Sequence, residues 1–382
     1  MCSRFLGRVI VSHNGTQCGY CTPGFAMSTF ALSKNHVKPS REVVLDALTG
    51  NLCRCTGYKS ILEAASSACE NRVEDHFTKS EDEVCRLLDD IASKNVDLEL
   101  TGSGQKYFLP SNLESALRYR KEYPDAVIVS GSTDVALRQT KKGEHFPLII
   151  DLSAVKEVKQ FSDNGNQFTF GAGMCMEQLK TLAQDRLPAL HIMLSVFGSL
   201  QIRNRATLGG NIGSASPIGD SLPLLFAYNA SVTLISTDKS TRTLPIGDFI
   251  IGYRQTALKP HELIYSVTFP KPPSGLVVKS YKVSRRKDLD ISTVSAAFAL
   301  TMNEDGTVKS IVMAYGGMAA TTQRALQTEE FLRGKAWSVE NIEKAMTLVE
   351  EEYQPLSDAR SDAQSRRIAA SNLLLKFYNE TH

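Results

Sequence analysis

The sequence predicts a multidomain α+β protein, and three changes of pattern along the chain support this fold class. Residues 13–70 show helical spacing of apolar side chains, interrupted by paired cysteines. From Thr101 onward, short β-branched runs alternate with helical stretches, which is typical of α+β and α/β domains. Residues 270–275, rich in proline, then mark a boundary before a predicted hairpin and C-terminal helices.

Length and composition exclude several classes of protein. The chain has 382 residues, of which 42% are hydrophobic and 22% charged, as in ordinary globular proteins with more than one domain. Lysine and arginine number 43 against 41 acidic residues, so the net charge of +2 gives no electrostatic footprint for nucleic acid or an acidic membrane. No apolar run reaches the roughly 18 residues of a membrane span. The N-terminal residues have no apolar signal core, so we expect a cytoplasmic protein.

The N-terminal segment predicts three helices, each with a recognisable start or end. The first follows Pro23 and ends near Asn35. Ser40 is placed to cap the second, which ends before a glycine. The third is expected to begin at Ser60, where Glu63 three residues later completes a capping box.

The remaining elements follow from the period of the apolar residues. Residues 71–100 are strongly charged and predict a linker with one amphipathic helix over residues 83–92. We expect strands at residues 126–129, 148–151, 168–170 and 231–235, with helices near residues 134–139, 176–184 and 221–228. The C-terminal hairpin is expected to join residues 295–302 to residues 311–315 through residues 303–306.

Two close pairs of cysteines form the first candidate site. Cys18 and Cys21 are separated by two residues, and Cys53 and Cys55 by one. Four thiolates suit either a zinc ion or an iron–sulfur cluster, and the spacing alone leaves both open. A Cys-x-Cys pair is less usual for zinc, and the plant-type ferredoxin spacing is absent. The other cysteines are predicted to be inert: Cys2, Cys69, Cys85 and Cys175.

Two small-residue turns form the second candidate site. Residues 128–135, Ile-Val-Ser-Gly-Ser-Thr-Asp-Val, read as strand, turn and helix start, where successive amides can bind a diphosphate. Residues 206–212, Ala-Thr-Leu-Gly-Gly-Asn-Ile, permit the same close approach, and Asp220 can accept a ribose hydroxyl. Each turn by itself also occurs without a ligand. Residues 171–173, Gly-Ala-Gly, are predicted to be a packing turn, because Met176 stands where a Rossmann fingerprint has its third glycine.

The residues around the cysteines resemble a known family. Residues 15–25, Gly-Thr-Gln-Cys-Gly-Tyr-Cys-Thr-Pro-Gly-Phe, and residues 50–58, Gly-Asn-Leu-Cys-Arg-Cys-Thr-Gly-Tyr, are similar to the second [2Fe–2S] domain of the molybdenum hydroxylases. That family includes xanthine dehydrogenase, aldehyde oxidase and carbon monoxide dehydrogenase. The two turns resemble its FAD-binding fold of the vanillyl-alcohol-oxidase (PCMH) type. The resemblance covers residues 13–382. In detail, the sequence is most similar to the small subunits of xanthine dehydrogenases.

The resemblance implies domain limits and cofactor ligands. It implies a helical [2Fe–2S] domain over 1–72, a linker over 73–102, a two-part α+β FAD-binding domain over 103–273 and an α+β C-terminal flavoprotein domain over 276–382. It makes Cys18, Cys21, Cys53 and Cys55 the ligands of the cluster. It places the following residues at FAD: Val129, Ser130, Gly131, Ser132, Thr133, Asp134, Phe197, Thr207, Leu208, Gly209, Gly210, Asn211, Asp220, Ile264 and Lys282.

The resemblance also implies partners and a reaction. Tyr253 and Arg254 fall where the family places NAD contacts, while Leu289 replaces an acidic residue that animal relatives use for NAD. The family's N-terminal plant-type [2Fe–2S] domain and its molybdopterin domain have no counterpart in this sequence. Electrons would therefore come from a molybdopterin-containing large subunit, in a heterodimer or heterotetramer, and pass through the cluster and FAD to NAD+. No acid–base catalytic residue is assigned to this chain.

Two other classes of function remain open at this stage. One is a stand-alone FAD-dependent oxidoreductase whose cysteine domain is vestigial or binds zinc. The other is a zinc-binding interaction protein without enzymatic activity. The visible absorbance of the purified protein separates these classes, because flavin and iron–sulfur clusters absorb visible light and zinc does not.

Overall fold

The computed structural model describes residues 2–71 and 74–382, and its contacts divide the chain into two units. The first unit extends to Asn95 and includes Gly198–Ile202. The second unit comprises Val96–Phe197 and Arg203–His382. None of the described helices is long and apolar enough to cross a membrane.

The first unit is helical. Its helices are α1 (Cys2–Ser12), α2 (Thr22–Asn35), α3 (Arg41–Leu48), α4 (Lys59–Ala68) and α5 (His76–Ser93). Helices α2, α3 and α4 share a small core that includes Phe25, Leu32, Val44 and Ile61. The half-buried Cys21 and Cys53 pack against this core, which therefore positions both cysteine loops, one before α2 and one between α3 and α4.

The helical unit confirms one detail of the sequence prediction and differs from it in two. The Ser40 cap is confirmed, since its hydroxyl accepts from Val43 N. The capping box predicted at Ser60 is wrong, because α4 begins one residue earlier and has no side-chain cap. It follows directly after Tyr58, whose backbone is in the left-handed region. Helix α1 was not predicted, and its Leu6 packs on Ala68 of α4.

The predicted linker helix is longer than its amphipathic stretch. Helix α5 covers His76–Ser93, is capped by Asp75 and has no buried residue. The exposed apolar residues of α5 include Phe77, Leu88 and Ile91. The charged composition of this segment therefore reflects an exposed helix.

The second unit begins with a four-stranded sheet. Its strands are β1 (Leu98–Gly102), β2 (Gln105–Leu109), β3 (Val127–Val129) and β4 (Leu148–Asp151), in the order β1-β2-β4-β3. Strands β2 and β3 both run parallel to β4. Helix α6 (Leu113–Glu122) packs on the sheet, and α7 (Ala136–Lys142) follows the turn after β3. The carboxyl ends of three parallel strands therefore meet at one edge, beside this turn.

A five-stranded antiparallel sheet and its helices form the next layer. The strand order is β5-β6-β11-β7-β8, with a separate short hairpin of β9 and β10. The strands are β5 (Phe161–Asp163), β6 (Gln167–Gly171), β7 (Ser231–Ser236), β8 (Thr241–Pro245), β9 (Ile250–Gly252), β10 (Gln255–Thr256) and β11 (Glu262–Pro270). The helices of this layer are α8 (Met176–Ala183), α9 (Pro188–Ser195), α11 (Leu208–Gly213), α12 (Leu222–Ala227) and α13 (Ile246–Phe249), whereas α10 (Leu200–Arg203) falls mostly within the segment that belongs to the first unit. Their apolar side chains make one large buried core.

The C-terminal part is a second α+β layer structure. Strands β12 (Val277–Val283), β13 (Val294–Met302), β14 (Val308–Gly316) and β15 (Gln323–Arg324) pair antiparallel in chain order. Helices α14 (Leu326–Leu332), α15 (Val339–Glu352) and α16 (Ala363–Asn379) cover this sheet over a core of its own. The predicted hairpin is confirmed as β13 and β14. The mixed α+β fold class predicted from the sequence is confirmed throughout.

Candidate functional site

The four paired cysteines come together in the first unit. Cys18 lies in the loop before α2, Cys21 is the N-cap of α2, and Cys53 and Cys55 lie in the loop between α3 and α4. Their thiols approach each other as two hydrogen-bonded pairs, Cys18 with Cys55 and Cys21 with Cys53. Each pair thus joins one cysteine from each motif.

Local hydrogen bonds favour the thiolate form of two of these cysteines. The Thr56 hydroxyl, 3.2 Å from Cys53 Sγ, and the amides of Thr56 and Cys55, each 3.4 Å away, lower the pKa of Cys53 to about 7. The amide of Tyr20 lowers the pKa of Cys18. The pKa of Cys55 is raised by its hydrogen bond to Cys18, and burial raises the pKa of Cys21. Each pair therefore contains one thiol disposed to ionise, as metal ligation requires.

The paired arrangement fits two metal ions better than one. A tetrahedral zinc site needs four ligands around one centre, whereas a [2Fe–2S] cluster needs two thiolates on each of two irons. Two pairs of thiols match the second requirement. The backbone also leaves room, because a Cβ at Gly19 or Gly57 would meet nothing within 4 Å.

Asn51 fixes the two cysteine loops relative to each other, a role that the sequence did not indicate. Its Nδ2 donates to Ser28 Oγ at 2.8 Å and to Leu48 O at 3.4 Å. A Cβ at Gly24 would lie 2.4 Å from Asn51 Oδ1. The lack of a side chain at Gly24 therefore gives the Asn51 amide room to reach α2. Asn51 thereby ties the loop that precedes Cys53 to the helix that starts at Cys21.

We expect Asn51→Ala to lower iron content and stability together. Loss of its hydrogen bonds should reduce the free energy of unfolding by about 1–2 kcal/mol and loosen the spacing of the cysteine pairs. Iron analysis and thermal unfolding of the full chain measure the two effects. Asn35→Ala is the matched control, since Asn35 bonds only to Ala31 O of its own helix among the described residues. Equal iron content in Asn51→Ala and wild type would contradict the assignment.

The first predicted flavin loop follows β3. Ser132 has a φ of +66°, and the Oγ of Ser130 is buried without a hydrogen-bond partner among the described residues. A Cβ at Gly131 would lie 1.7 Å from Arg205 O, so only glycine permits this backbone approach. The exposed Asp134 ends the loop. An unpartnered buried hydroxyl and a glycine-dependent turn suit a ligand rich in oxygen.

The second predicted flavin loop begins α11. Thr207 is the N-cap, and its hydroxyl accepts from Gly210 N at 3.1 Å. Gly209 is buried against Ala172, whose Cβ would be 2.6 Å from a Cβ at position 209. Gly210 is exposed, and a Cβ there would meet only Thr207 Oγ1, at 2.8 Å. Asn211 Oδ1 accepts a hydrogen bond from Ser221 Oγ at 2.5 Å. Of the two glycines in this loop, Gly209 therefore serves packing and Gly210 faces outward.

The turn at residues 171–173 packs, as predicted. A Cβ at Gly171 would meet Val158 O at 2.3 Å, and one at Gly173 would meet Val158 Cγ2 at 2.7 Å. In the same turn, Ala172 O accepts a hydrogen bond from Gly209 N at 2.7 Å. It therefore supports the second flavin loop from behind rather than binding a ligand directly.

Asp220 and Lys282, predicted separately at FAD, form a largely buried ion pair. Lys282 Nζ lies 2.7 Å from Asp220 Oδ2, and each side chain is 10% exposed. Ser292 Oγ donates to Asp220 Oδ1 at 2.5 Å, and Lys282 Nζ also donates to Val196 O at 3.4 Å. The half-buried Phe197 follows Val196 directly. No motif in the sequence indicated Ser292.

Three further predicted residues lie in β11 and in the turn between β9 and β10. Ile264 of β11 is half-buried, with its Cδ1 3.2 Å from the position of a Cβ at Gly213 of α11. Arg254 has a φ of +53° in the turn between β9 and β10, and its Nη1 lies 3.6 Å from Asp134 Oδ2. Tyr253 is exposed beside it. The structure therefore brings Arg254, one of the two predicted NAD residues, to the first flavin loop.

Comparison with protein families identifies three domains along the chain. Residues 4–66 match the family described as "[2Fe-2S] binding domain". Residues 100–272 match "FAD binding domain in molybdopterin dehydrogenase", and residues 279–381 match "CO dehydrogenase flavoprotein C-terminal domain". The first match begins nine residues before position 13, so the expectation that the resemblance starts there is wrong; helix α1 belongs to the domain.

Whole-chain relatives include long enzymes from several kingdoms. Xanthine dehydrogenase of Emericella nidulans is 30% identical over 96% of this chain and 31% of its own length. Aldehyde oxidase 3 of Rattus norvegicus is 30% identical over 97% of this chain and 31% of its own length. The chain thus spans about a third of the length of these relatives.

A solved structure supports the fold. A chain of carbon monoxide dehydrogenase from Hydrogenophaga pseudoflava is 25% identical and superimposes with a TM-score of 0.68, covering 72% of this chain and 96% of that chain. The chain is therefore an iron–sulfur flavoprotein, with a [2Fe–2S]-binding domain and an FAD-binding domain. Its three domains are homologous to those of the xanthine dehydrogenase and CO dehydrogenase family, the molybdenum hydroxylases.

Proposed function

We propose that this chain is the electron-transfer subunit of a xanthine dehydrogenase in purine catabolism. The observation that carries the proposal is the presence of a paired cysteine quartet and an FAD-binding domain in one polypeptide. The full-length xanthine dehydrogenase relatives support the purine substrate class. When bound, the cluster carries single electrons and FAD exchanges hydride with NAD+. We place the protein in the cytoplasm.

We propose that Cys18, Cys21, Cys53 and Cys55 ligate the cluster. The fit rests on the two thiol pairs and on the lowered pKa values of Cys18 and Cys53. The amides of Cys55 and Thr56 already donate toward Cys53 Sγ, so the loop stabilises negative charge on sulfur. The corresponding domain limits are 1–72 for the cluster domain and 73–102 for the linker.

We propose that FAD lies between the FAD-binding domain over 103–273 and the C-terminal domain over 276–382. The residues predicted from the resemblance, from the loop at Val129–Asp134 to Lys282, line this position. The Asp220–Lys282 ion pair supports it, because it joins the two domains beside Phe197. The Lys282 ammonium, whose charge Asp220 balances, would be a hydrogen-bond donor to the flavin there. Ser292 and Asp220 hold that lysine in place.

We propose that NAD+ contacts Tyr253 and Arg254. Arg254 is exposed and offers a guanidinium beside the first flavin loop, and the exposed ring of Tyr253 can stack on a nicotinamide or adenine ring. The molybdenum chemistry belongs to a molybdopterin-containing large subunit. The complex would be a heterodimer or heterotetramer, without nucleic acid or membrane.

The division of labour gives a direct test. The isolated chain should not convert hypoxanthine or xanthine, because the proposal assigns the molybdenum chemistry to the large subunit, but it should reduce an artificial two-electron acceptor with NADH. Urate formation and NADH oxidation measure the two activities. Urate formation by this chain alone would overturn the subunit assignment. Adding a matched molybdenum subunit should create purine-dependent NADH formation.

A second candidate is a subunit of an aldehyde oxidase or CO dehydrogenase type. It is favoured by the 30% identity to aldehyde oxidase 3 and by the CO dehydrogenase fold match. An FAD-dependent oxidoreductase that acts alone is the third alternative. Failure of NADH to reduce the flavin, with rapid reoxidation of chemically reduced protein by oxygen or a quinone, would favour these alternatives over the dehydrogenase.

A further inference from the structure

Arg205 lies between the two predicted diphosphate loops and was assigned to neither. Its carbonyl oxygen is the atom that excludes a side chain at Gly131, 1.7 Å from where a Cβ would stand. Two residues later, Thr207 caps α11 at the start of the second loop. The Arg205 side chain is exposed. The backbone therefore holds a guanidinium-bearing residue at the junction of the two loops.

The two loops themselves have no positive charge to offer an anion. Residues 129–134 and 207–211 contain one charged side chain, the carboxylate of Asp134. The described cation that pairs with this carboxylate is Arg254, whose Nη1 lies 3.6 Å from Asp134 Oδ2. The charge of Arg254 is therefore partly balanced by Asp134. Backbone amides and hydroxyls can bind a diphosphate, but a nearby carboxylate opposes it. A second cation beside the loops would offset this repulsion.

The charge of Arg205 is not neutralised within the described part of the chain. No carboxylate there lies within ion-pair distance of its guanidinium. Its charge acts on the hydroxyl of Tyr107, which donates to Asp151 Oδ2 at 2.9 Å. The other oxygen of Asp151 accepts from Ser153 N at 2.8 Å. Asp151 is therefore engaged by its neighbours, and Arg205 is left to bind something else.

The position of Arg205 in the fold is one where dinucleotides bind. Asp151 at the end of β4 and Ser130 after β3 mark the carboxyl edge of the parallel strands, and the hydroxyl of Tyr107 reaches this edge from the middle of β2. Open α/β sheets bind nucleotides outside the carboxyl ends of their strands. The unpartnered Oγ of Ser130 lies at the same edge. Cation, hydroxyl and glycine turn thus occur together there.

We propose that the Arg205 guanidinium binds the diphosphate of FAD, as a charge-assisted donor that supplements the backbone of the two loops. The inference rests on the proposed FAD site and adds to it a ligand outside both motifs. A planar guanidinium can donate two parallel hydrogen bonds to phosphate oxygens, which lysine cannot. A lysine at this position would keep the charge and lose the planar guanidinium, so Arg205→Lys separates the contribution of charge from that of geometry.

Release of FAD from the full-length protein tests this. Arg205→Gln should release FAD about tenfold faster than wild type, as expected for loss of one charged hydrogen bond, and Arg205→Lys should be intermediate. Raising sodium chloride should accelerate release from wild type more than from Arg205→Gln. Arg138→Gln is the matched control, because Arg138 is exposed on α7 and already pairs with Glu144 at 2.7 Å. The recovery of flavin fluorescence on dilution measures the release rate.

The outcomes distinguish this inference from the proposed site. Release at the wild-type rate from Arg205→Gln, with FAD lost from Gly210→Val, would overturn the role of Arg205 and leave the site intact. Unchanged FAD in both variants would overturn the site itself. A lower melting temperature of Arg205→Gln with unchanged FAD release would show that Arg205 contributes only to the stability of the fold, and would overturn the proposal. Equal acceleration in Arg138→Gln would also overturn the proposal, because the effect would then be one of general charge.

Discussion

Cys53→Ser is expected to remove the iron–sulfur cluster and leave FAD bound. Cys53 has its pKa lowered to about 7 by the Thr56 hydroxyl and the amides of Thr56 and Cys55. A serine hydroxyl there is not ionised near neutral pH and is a poor ligand for iron. The variant should lose about two iron atoms per chain and the cluster absorbance. Iron, acid-labile sulfide and flavin are measured on the same sample.

FAD should remain because the cysteines and the flavin loops lie in separate units. Cys85→Ser is the matched control, since Cys85 is an exposed cysteine on α5, away from the quartet. One zinc per chain and no acid-labile sulfide in wild-type protein reconstituted anaerobically would show the cluster assignment to be wrong.

Gly210→Val is expected to abolish FAD binding while the iron is retained. Gly210 is exposed, and apart from Thr207 Oγ1 nothing described would meet a Cβ there, so a side chain would project toward the ligand side of the loop. Valine also adds a stiff β-branched side chain beside amides that must approach a diphosphate. The ratio of flavin to iron in the purified variant measures the effect.

Two variants separate ligand exclusion from misfolding. Gly210→Ala makes the same contact with Thr207 but adds no branch, so it should retain part of the FAD. Gly102→Val, at an open position of β1, controls for valine in place of glycine. Gly209→Val, by contrast, should destabilise the fold, because its Cβ would overlap Ala172. Wild-type flavin content in Gly210→Val would exclude this loop from the diphosphate site.

The sequence by itself determined the order of elements where a periodic run stands alone. Strand β4 was predicted to the residue, and the β13–β14 hairpin and the Ser40 cap were predicted correctly. Such signals are local, because apolar period and side-chain capping act over a few residues. The paired cysteines were also recognisable, since their residue types and spacing are readable without a fold. Their assignment as cluster ligands, like that of the flavin loops, stays a prediction.

Only the tertiary structure decided how these residues meet. Asn51, Ser292 and Arg205 carry no motif, and each acts through residues distant in sequence. The same holds for the Asp220–Lys282 ion pair, whose members are 62 residues apart. The start of α4 is a case in which a local sequence pattern failed. The helix begins at Lys59, where the left-handed backbone of Tyr58 sets its start, and not at the predicted capping box. Chain folding brings together groups that no local pattern links, since packing and ion pairing depend on distance in space rather than on separation along the chain.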